Sequence, residues 1–225
     1  MSTGLGQSNS YGHQKPGAAM KLVVTGTLNV DGTISSDSYT GQDGLPYAGC
    51  PGSINITAGK LTGVGAISAK TSGQNSAGGR VAIRLTKSTS VFEDFSGKIL
   101  AHGKGADSKK TSSGTVYLQA GNEPEKGGTI IINNNGNTSQ LYTPVMATAN
   151  IQSDKYVTDE IVDFKNASLV VENSALASVE IADANGVFNM NAVTVAEGSK
   201  LDLFGNTLMV KSAKLGDTKL KVGTY

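Results

Sequence analysis

A glycine, a small residue, an isoleucine and a second small residue return along this chain at nearly constant spacing. LNVDGTISSD (28–37), LTGVGAISAK (61–70) and the looser FSGKILAHGK (95–104) carry the copies, and Ile34, Ile67 and Ile99 stand 33 and 32 residues apart. Ile130 extends the series by a further 31 residues. A period of that size points to stacked supersecondary units, each too small to bury its own apolar face. In a parallel β-solenoid the coils stack at about 4.8 Å. Ile67 then lies above Ile34 and below Ile99 in an interior column, where each fully buried aliphatic side chain contributes roughly 1.5–3 kcal/mol. The glycines supply the corners.

The segments around these copies alternate apolar and polar residues with period two, as half-buried strands do: KLVV (21–24), SINIT (53–57), RVAIRL (80–85) and GTVYLQ (114–119). Between them lie TGQDGLPYAGCPG, TSGQNSAGG, GKGADSKKTSSG and GNEPEKGG, all dense in turn formers. After GTIIINNNGNTS the chain is irregular from about 139 to 165. It then tightens into ASLVVEN, ASVEIAD, GVFNMNAVTVAEG, KLDLFG, NTLMVKS and TKLKV, with turns too short for helical crossovers. The one stretch with a helical period is 154–167, with apolar residues at 157, 161 and 164, and a strand pair suits it equally. The organisation expected is an N-terminal Gly/Ser-rich segment or cap (1–20), glycine-rich coils with longer loops (21–145) and tighter coils (146–225), the last two forming one continuous solenoid. No closing coil is legible at either end, so either residues 1–20 fold over one end or the chain is a piece of a longer one.

Composition agrees with many short strands. Glycine numbers 29 of 225 residues, aromatics are 5% and tryptophan is absent. Charged residues are 16%, against roughly 25% in soluble domains, so Ser, Thr, Asn and Gly must cover much of the surface. The formal net charge of +1, without long runs of like charge, leaves no footprint for nucleic acid or an anionic membrane. Cys50 is the only cysteine, which excludes an internal disulfide framework and a cysteine-based zinc site. No apolar run reaches transmembrane length, and no membrane insertion is expected.

GSINITAGKLTGVGAISAK, followed by GGRVAIRL, GTVYLQAG and GTIIINNNG, resembles a glycine-rich repeat of large bacterial surface and secreted proteins of the right-handed parallel β-helix kind. NAVTVAEGSKLDLFGNTLMV is similar to strand repeats in the passenger regions of autotransporter-like adhesins. Together the two cover roughly residues 20–145 and 165–222. The resemblance implies a right-handed parallel β-helix acting outside the bacterial cell or on its surface as a display or adhesion scaffold, a monomer or a part of a longer solenoid.

Catalytic constellations are hard to assemble from these residues. The pectinase-like hydrolases of this fold use an Asn-Thr-Asp motif, an Asp-Asp pair, a Gly-His-Gly motif and an Arg-x-Lys motif, and AHGKG (101–105) touches only the third. His102 reads as a turn residue. Glu93-Asp94 and Asp159-Glu160 are adjacent pairs, which strands point to opposite faces. No G-x-S-x-G motif is present, and His13 and His102 are the only histidines available to a triad. No cofactor is expected. Calcium is a minor alternative at Asp31, Asp37 and Asp43, which match neither an EF-hand nor a glycine-aspartate nonapeptide. NNNGN (133–137) suggests an amide ladder. The sequons at Asn55, Asn137 and Asn166 carry no weight in a chain that looks bacterial.

Glycan sites combine aromatic faces with Asn, Asp and Gln side chains. Tyr39, Tyr47 and Tyr142 are therefore the candidate contacts to a polysaccharide or cell-surface glycan, the alternative being that they pack over loop corners. The expectation is a non-catalytic structural or adhesive segment, with a carbohydrate-binding module and a polysaccharide-degrading β-helix enzyme as alternatives. An ice-binding solenoid is more remote, because no Thr-x-Thr ladder recurs in register.

Overall fold

The computed structural model describes residues 16–39, 49–71, 73, 76–104, 111–138, 141–146, 148–152, 155–161, 164–180 and 187–220. The described residues are all-β, with long parallel sheets. A long strand that opens each turn of the chain alternates with a short strand in a second sheet: β1 (Ala19–Asn29) and β2 (Thr33–Ser35), then β3 (Ser53–Thr62) and β4 (Ala66–Ser68). The third turn is β5 (Arg80–Leu85), a 3-10 turn at Phe92–Asp94 and β6 (Lys98–Leu100), and β7 (Thr115–Gln119) opens a fourth. β1, β3, β5 and β7 pair in parallel, as do β2, β4 and β6.

Ile34, Ile67 and Ile99 are register partners in the short sheet, so the periodic isoleucine is a stacked column. The glycines two residues before Ile67 and Ile99 have a steric reason. A Cβ on Gly65 would lie 2.0 Å from the Gly32 carbonyl oxygen, and one on Gly97 would lie 2.2 Å from that of Gly65. Longer loops leave the short sheet, but their bases are closed. Gly52, Gly79 and Gly114 donate their N–H groups to the carbonyls of Ser36, Ala69 and Ala101 at 2.7–2.8 Å. The winding therefore tolerates loops of different length without losing register.

After β7 the chain reverses. Residues 120–127 form a tight connection to β8 (Gly128–Asn133), which pairs antiparallel with β7 through Val116–Ile131, Tyr117–Ile130 and Leu118–Thr129. Lys126 and Gly128 take φ values of 58° and 92° there. Three side chains hold the reversal. The Tyr117 hydroxyl donates to the Gly127 carbonyl, Gln119 Nε2 donates to the Pro124 carbonyl at 2.8 Å, and Arg84 Nε donates to Gln119 Oε1 at 3.0 Å.

The chain then winds again, through β9 (Thr143–Met146), β10 (Thr148–Gln152), β11 (Lys155–Ile161), β12 (Ala167–Glu172), β13 (Leu176–Glu180), β14 (Val187–Val195), β15 (Lys200–Asp202) and β16 (Thr207–Leu215), and ends on β17 (Thr218–Leu220). β8, β12, β14 and β16 are mutually parallel and extend the same long sheet, while β9, β13 and β15 form a second short sheet. β10 and β11 pair antiparallel, so Val157 and Ile161, two of the three residues with a helical period, lie in a strand pair.

The nine-stranded sheet carries two cores on opposite faces. Ile54, Ile56, Leu61, Ile67, Val81 and Ile83 form the N-terminal core, which reaches Val116, Leu118 and Ile131. Ile130, Ile132, Leu169, Val171, Val179 and Phe188 form the C-terminal core, against which Tyr117 packs. Paired residues share a face and consecutive residues alternate, so the register of β7 with β8 sets the two cores back to back. A crossover of unchanged hand, run on reversed strands, must pass over the other face of the sheet. Strands covered on both faces lose their polar alternation, which accounts for the unbroken Ile130-Ile131-Ile132 run.

One expectation changes here. Ile130 does not continue the Ile34–Ile67–Ile99 column, because it lies in the long sheet on the opposite face. Strand direction and core face both switch at 120–127. Most of the 1–20 segment lies outside the described residues.

Candidate functional site

The short sheet of the C-terminal half positions the most conspicuous surface cluster. Thr143, Ala177 and Leu201 are register partners with inward side chains, so the residues just before them, Tyr142, Leu176 and Lys200, form the adjacent outward column. Beyond β15 the turn Asp202-Leu203-Phe204-Gly205-Asn206 brings a second aromatic ring to the same place. Asp202 Oδ1 accepts the Phe204 N–H at 3.0 Å, and the Asn206 N–H closes the turn on the Leu203 carbonyl at 2.8 Å. Asn206 Nδ2 donates to the Val179 carbonyl at 3.1 Å and anchors the turn on the neighbouring coil.

Phe204 and Gly205 take φ values of 45° and 81°. Glycine adopts that region freely, but phenylalanine does so against the crowding of its Cβ. The side chain held in this strained position is 59% exposed. The rings of Tyr142 and Phe204 meet edge to face, with centroids 5.5 Å apart and planes at 72°. Lys200 Nζ lies 2.6 Å from the Tyr142 hydroxyl oxygen, 3.2 Å from Asp202 Oδ2 and 5.3 Å from the Tyr142 ring centroid. The hydrogen bond to Tyr142, then the one to Asp202, holds Lys200 above its ordinary pKa. The Phe204 N–H, then Lys200, holds the Asp202 carboxyl below the usual carboxylate range. At neutral pH the cluster thus presents two aromatic rings, a fixed cation and a fixed anion.

Of the candidate glycan contacts, Tyr142 belongs to this cluster. Tyr39 is 53% exposed and sits apart, just after the first turn of the N-terminal half. Tyr47 lies outside the described residues. Phe204, Lys200 and Asp202 were not singled out from sequence, although an aromatic residue preceding glycine in Asp-Leu-Phe-Gly-Asn is a visible signal for an exposed ring on a left-handed turn.

The other candidates have structural partners. Asp31 Oδ1 accepts the Val64 N–H at 3.3 Å, and Asp37 Oδ1 accepts the Ser68 hydroxyl at 2.5 Å and the Lys70 N–H at 2.8 Å, so both aspartates tie one coil to the next. Asp43 lies outside the described residues, among which there is no group of three or more metal-ligating side chains. Glu93 and Asp94 sit in the 3-10 turn, with Asp94 3.1 Å from Lys60 Nζ. Asp159 and Glu160 are in β11, and His13 lies outside the described residues. In place of an amide ladder, the Asn134 and Asn137 amides bond to backbone: the buried Asn134 accepts the Gly103 N–H through Oδ1 at 3.1 Å and donates from Nδ2 to the Asn137 carbonyl at 2.7 Å, and Asn137 Nδ2 donates to the Asn134 carbonyl at 2.9 Å.

A small cavity of about 110 Å³ lies where the N-terminal core ends, lined by Ile99, His102, Val116, Leu118, Ile131 and Glu172 among others. Glu172 is the one carboxylate in its lining, and it accepts the Asn133 amide at 2.8 Å. No helix among the described residues is long and apolar enough to cross a membrane. Compared with known proteins, the chain matches no family model, no curated protein and no solved structure.

Proposed function

We propose that the chain is a non-catalytic adhesive segment of a bacterial cell-surface or secreted protein, wound as a right-handed parallel β-helix, that holds carbohydrate at the Tyr142–Phe204 cluster. The observation that carries the reading is Phe204, an exposed ring kept in a strained backbone conformation beside a second ring, a cation and a carboxylate. Strain of that kind persists only where the surroundings enforce it, and it concentrates at binding sites. Aromatic faces supply stacking area for sugar rings, and Lys200 and Asp202 supply hydrogen-bonding groups of both signs. The parallel strand ladders give a stiff platform, which suits display better than turnover. The cavity argues little for a hydrolase, because glycoside cleavage by the common route needs two carboxylates.

The test is retention on a panel of soluble and insoluble neutral polysaccharides, with the supernatant assayed for released sugar. Retention that falls about tenfold or more in Tyr142→Ala and Phe204→Ala, without released sugar, is the expected result. Released reducing or unsaturated ends would replace the adhesive reading with an enzymatic one. Retention unchanged in both variants would remove the cluster from it.

A further inference from the structure

β1, β3 and β5 show their second face to solvent, on the side where the C-terminal core lies further along, whereas on β7 that face is taken up by Tyr117 against the C-terminal core and by the buried Gln119. Register aligns three outward rows across β1, β3, β5 and β7: Ala19–Ser53–Arg80–Thr115, Lys21–Asn55–Ala82–Tyr117 and Val23–Thr57–Arg84–Gln119. Arg80 and Arg84 are the only arginines in the chain, and both stand exposed on this face, four residues apart on β5 and hence about 13 Å from each other. Lys21 is exposed two strands away, at about 10 Å.

These four strands contain no aspartate or glutamate. Their remaining cation, Lys60, is paired with Asp94, and of the flanking acids Asp31 accepts the Asn29 amide at 2.6 Å and Glu123 accepts the Ala120 N–H at 2.5 Å in the β7–β8 connection. Between Lys21 and the two arginines stand Ser53, Asn55 and Thr57 of β3, with Thr115 beyond Arg80 and the buried Gln119 beyond Arg84 on β7. Gln119 also fixes the plane of the Arg84 guanidinium through the 3.0 Å bond to Nε.

We infer that this face binds a linear anionic polysaccharide, with Arg80 and Arg84 each engaging a carboxylate or sulfate and Lys21 adding a point charge. Guanidinium forks match planar carboxylates in two parallel hydrogen bonds, and the spaced hydroxyl and amide rows suit the sugar rings between charged groups. A nucleic acid fits less well. Binding of single strands relies on aromatic stacking platforms, and the one aromatic residue of these four strands, Tyr117, packs against the C-terminal core with its hydroxyl bound to Gly127. The inference rests on the carbohydrate-binding reading and adds to it a second surface and a charge class.

The experiment measures binding of the full chain to polygalacturonate, to its fully methyl-esterified form, to dextran sulfate and dextran, and to single-stranded DNA, at low and high salt. Polygalacturonate or dextran sulfate should be retained over its neutral counterpart and released by salt. Arg80→Gln/Arg84→Gln should weaken retention about tenfold or more and Lys21→Gln less, while Arg84→Lys should fall between wild type and Arg84→Gln. Tyr142→Ala should leave it unchanged. Melting temperatures equal to wild type in Arg80→Gln and Lys21→Gln separate a binding loss from a folding loss. Wild-type retention by the double variant, equal retention of the neutral polymers, or equally tight binding of DNA would each overturn the inference. Loss of Tyr142-dependent neutral-glycan binding alone would overturn only the earlier reading.

Discussion

Ile130 and Ile131 are consecutive in β8 and belong to different cores: Ile130 is buried in the C-terminal one, and Ile131 packs against the N-terminal one through its pairing with Val116. One peptide bond thus joins two hydrophobic interiors on opposite faces of a shared sheet. Ile132 is fully buried, so Ile132→Ala is expected to cost about 2–5 kcal/mol, while the half-buried Ile131 should cost about 1 kcal/mol on the same change. Ile56 is also fully buried, in the other core. Urea denaturation of Ile56→Ala, Ile132→Ala and the double variant should give additive losses to within about 0.5 kcal/mol. A larger coupling would mean that the two faces do not pack independently.

The glycine column makes an asymmetric prediction. A Cβ on Gly65 meets the Gly32 carbonyl oxygen at 2.0 Å, whereas a Cβ on Gly32 meets nothing within 4 Å. Gly65→Ala should destabilise by about 3 kcal/mol or more, since the obstructing atom is backbone. Gly32→Ala should leave stability unchanged or raise it by up to about 1 kcal/mol through the unfolded state. Thermal melts of the two variants side by side check this directly.

Tyr117 closes the reversal. Tyr117→Phe leaves the Gly127 carbonyl without the hydroxyl that binds it, at an expected cost of about 1–3 kcal/mol. Burial raises the pKa of this hydroxyl, with Arg84 opposing and Glu123 assisting the shift. The folded state therefore holds the proton more tightly than the unfolded one. The stabilisation is complete below the ordinary tyrosine value near 10 and is lost as pH rises through the higher folded value. Stability against pH above 10 should fall more steeply in wild type than in Tyr117→Phe.

Phe204 should separate binding from stability. Asparagine tolerates the left-handed region better, so Phe204→Asn relieves strain of about 1–2 kcal/mol and gives up an edge-to-face contact worth about 0.5–1.5 kcal/mol. The net change in stability should be within about 1 kcal/mol, while glycan retention falls. Asp202, whose carboxyl is held below its usual range, stays charged until pH drops through that depressed value. Retention should then persist at mildly acidic pH in wild type and be weaker at every pH in Asp202→Asn.

Much of the local structure was legible in the sequence. Period-two alternation located the strands at 53–57, 80–85 and 114–119, and constant spacing located the Ile34–Ile67–Ile99 column, because both signals depend on neighbours within one coil or the next. The identity of the fourth repeat was not legible. Ile130 keeps the interval of its predecessors, yet a run of three isoleucines has no polar member to say which side faces solvent, so periodicity there is silent about the face.

The sequence by itself determined that this chain forms short strands at a fixed repeat, with glycines where one backbone passes close over another. The tertiary structure alone decided that the strands reverse at 120–127, that the second core lies on the other face, and that Tyr142 meets Phe204 and Lys200 from two coils away. The physical reason is that strand formation and stacking are set by contacts close in the repeat, whereas the direction of the next winding is set by a single connection whose effect is felt only when the whole sheet is assembled.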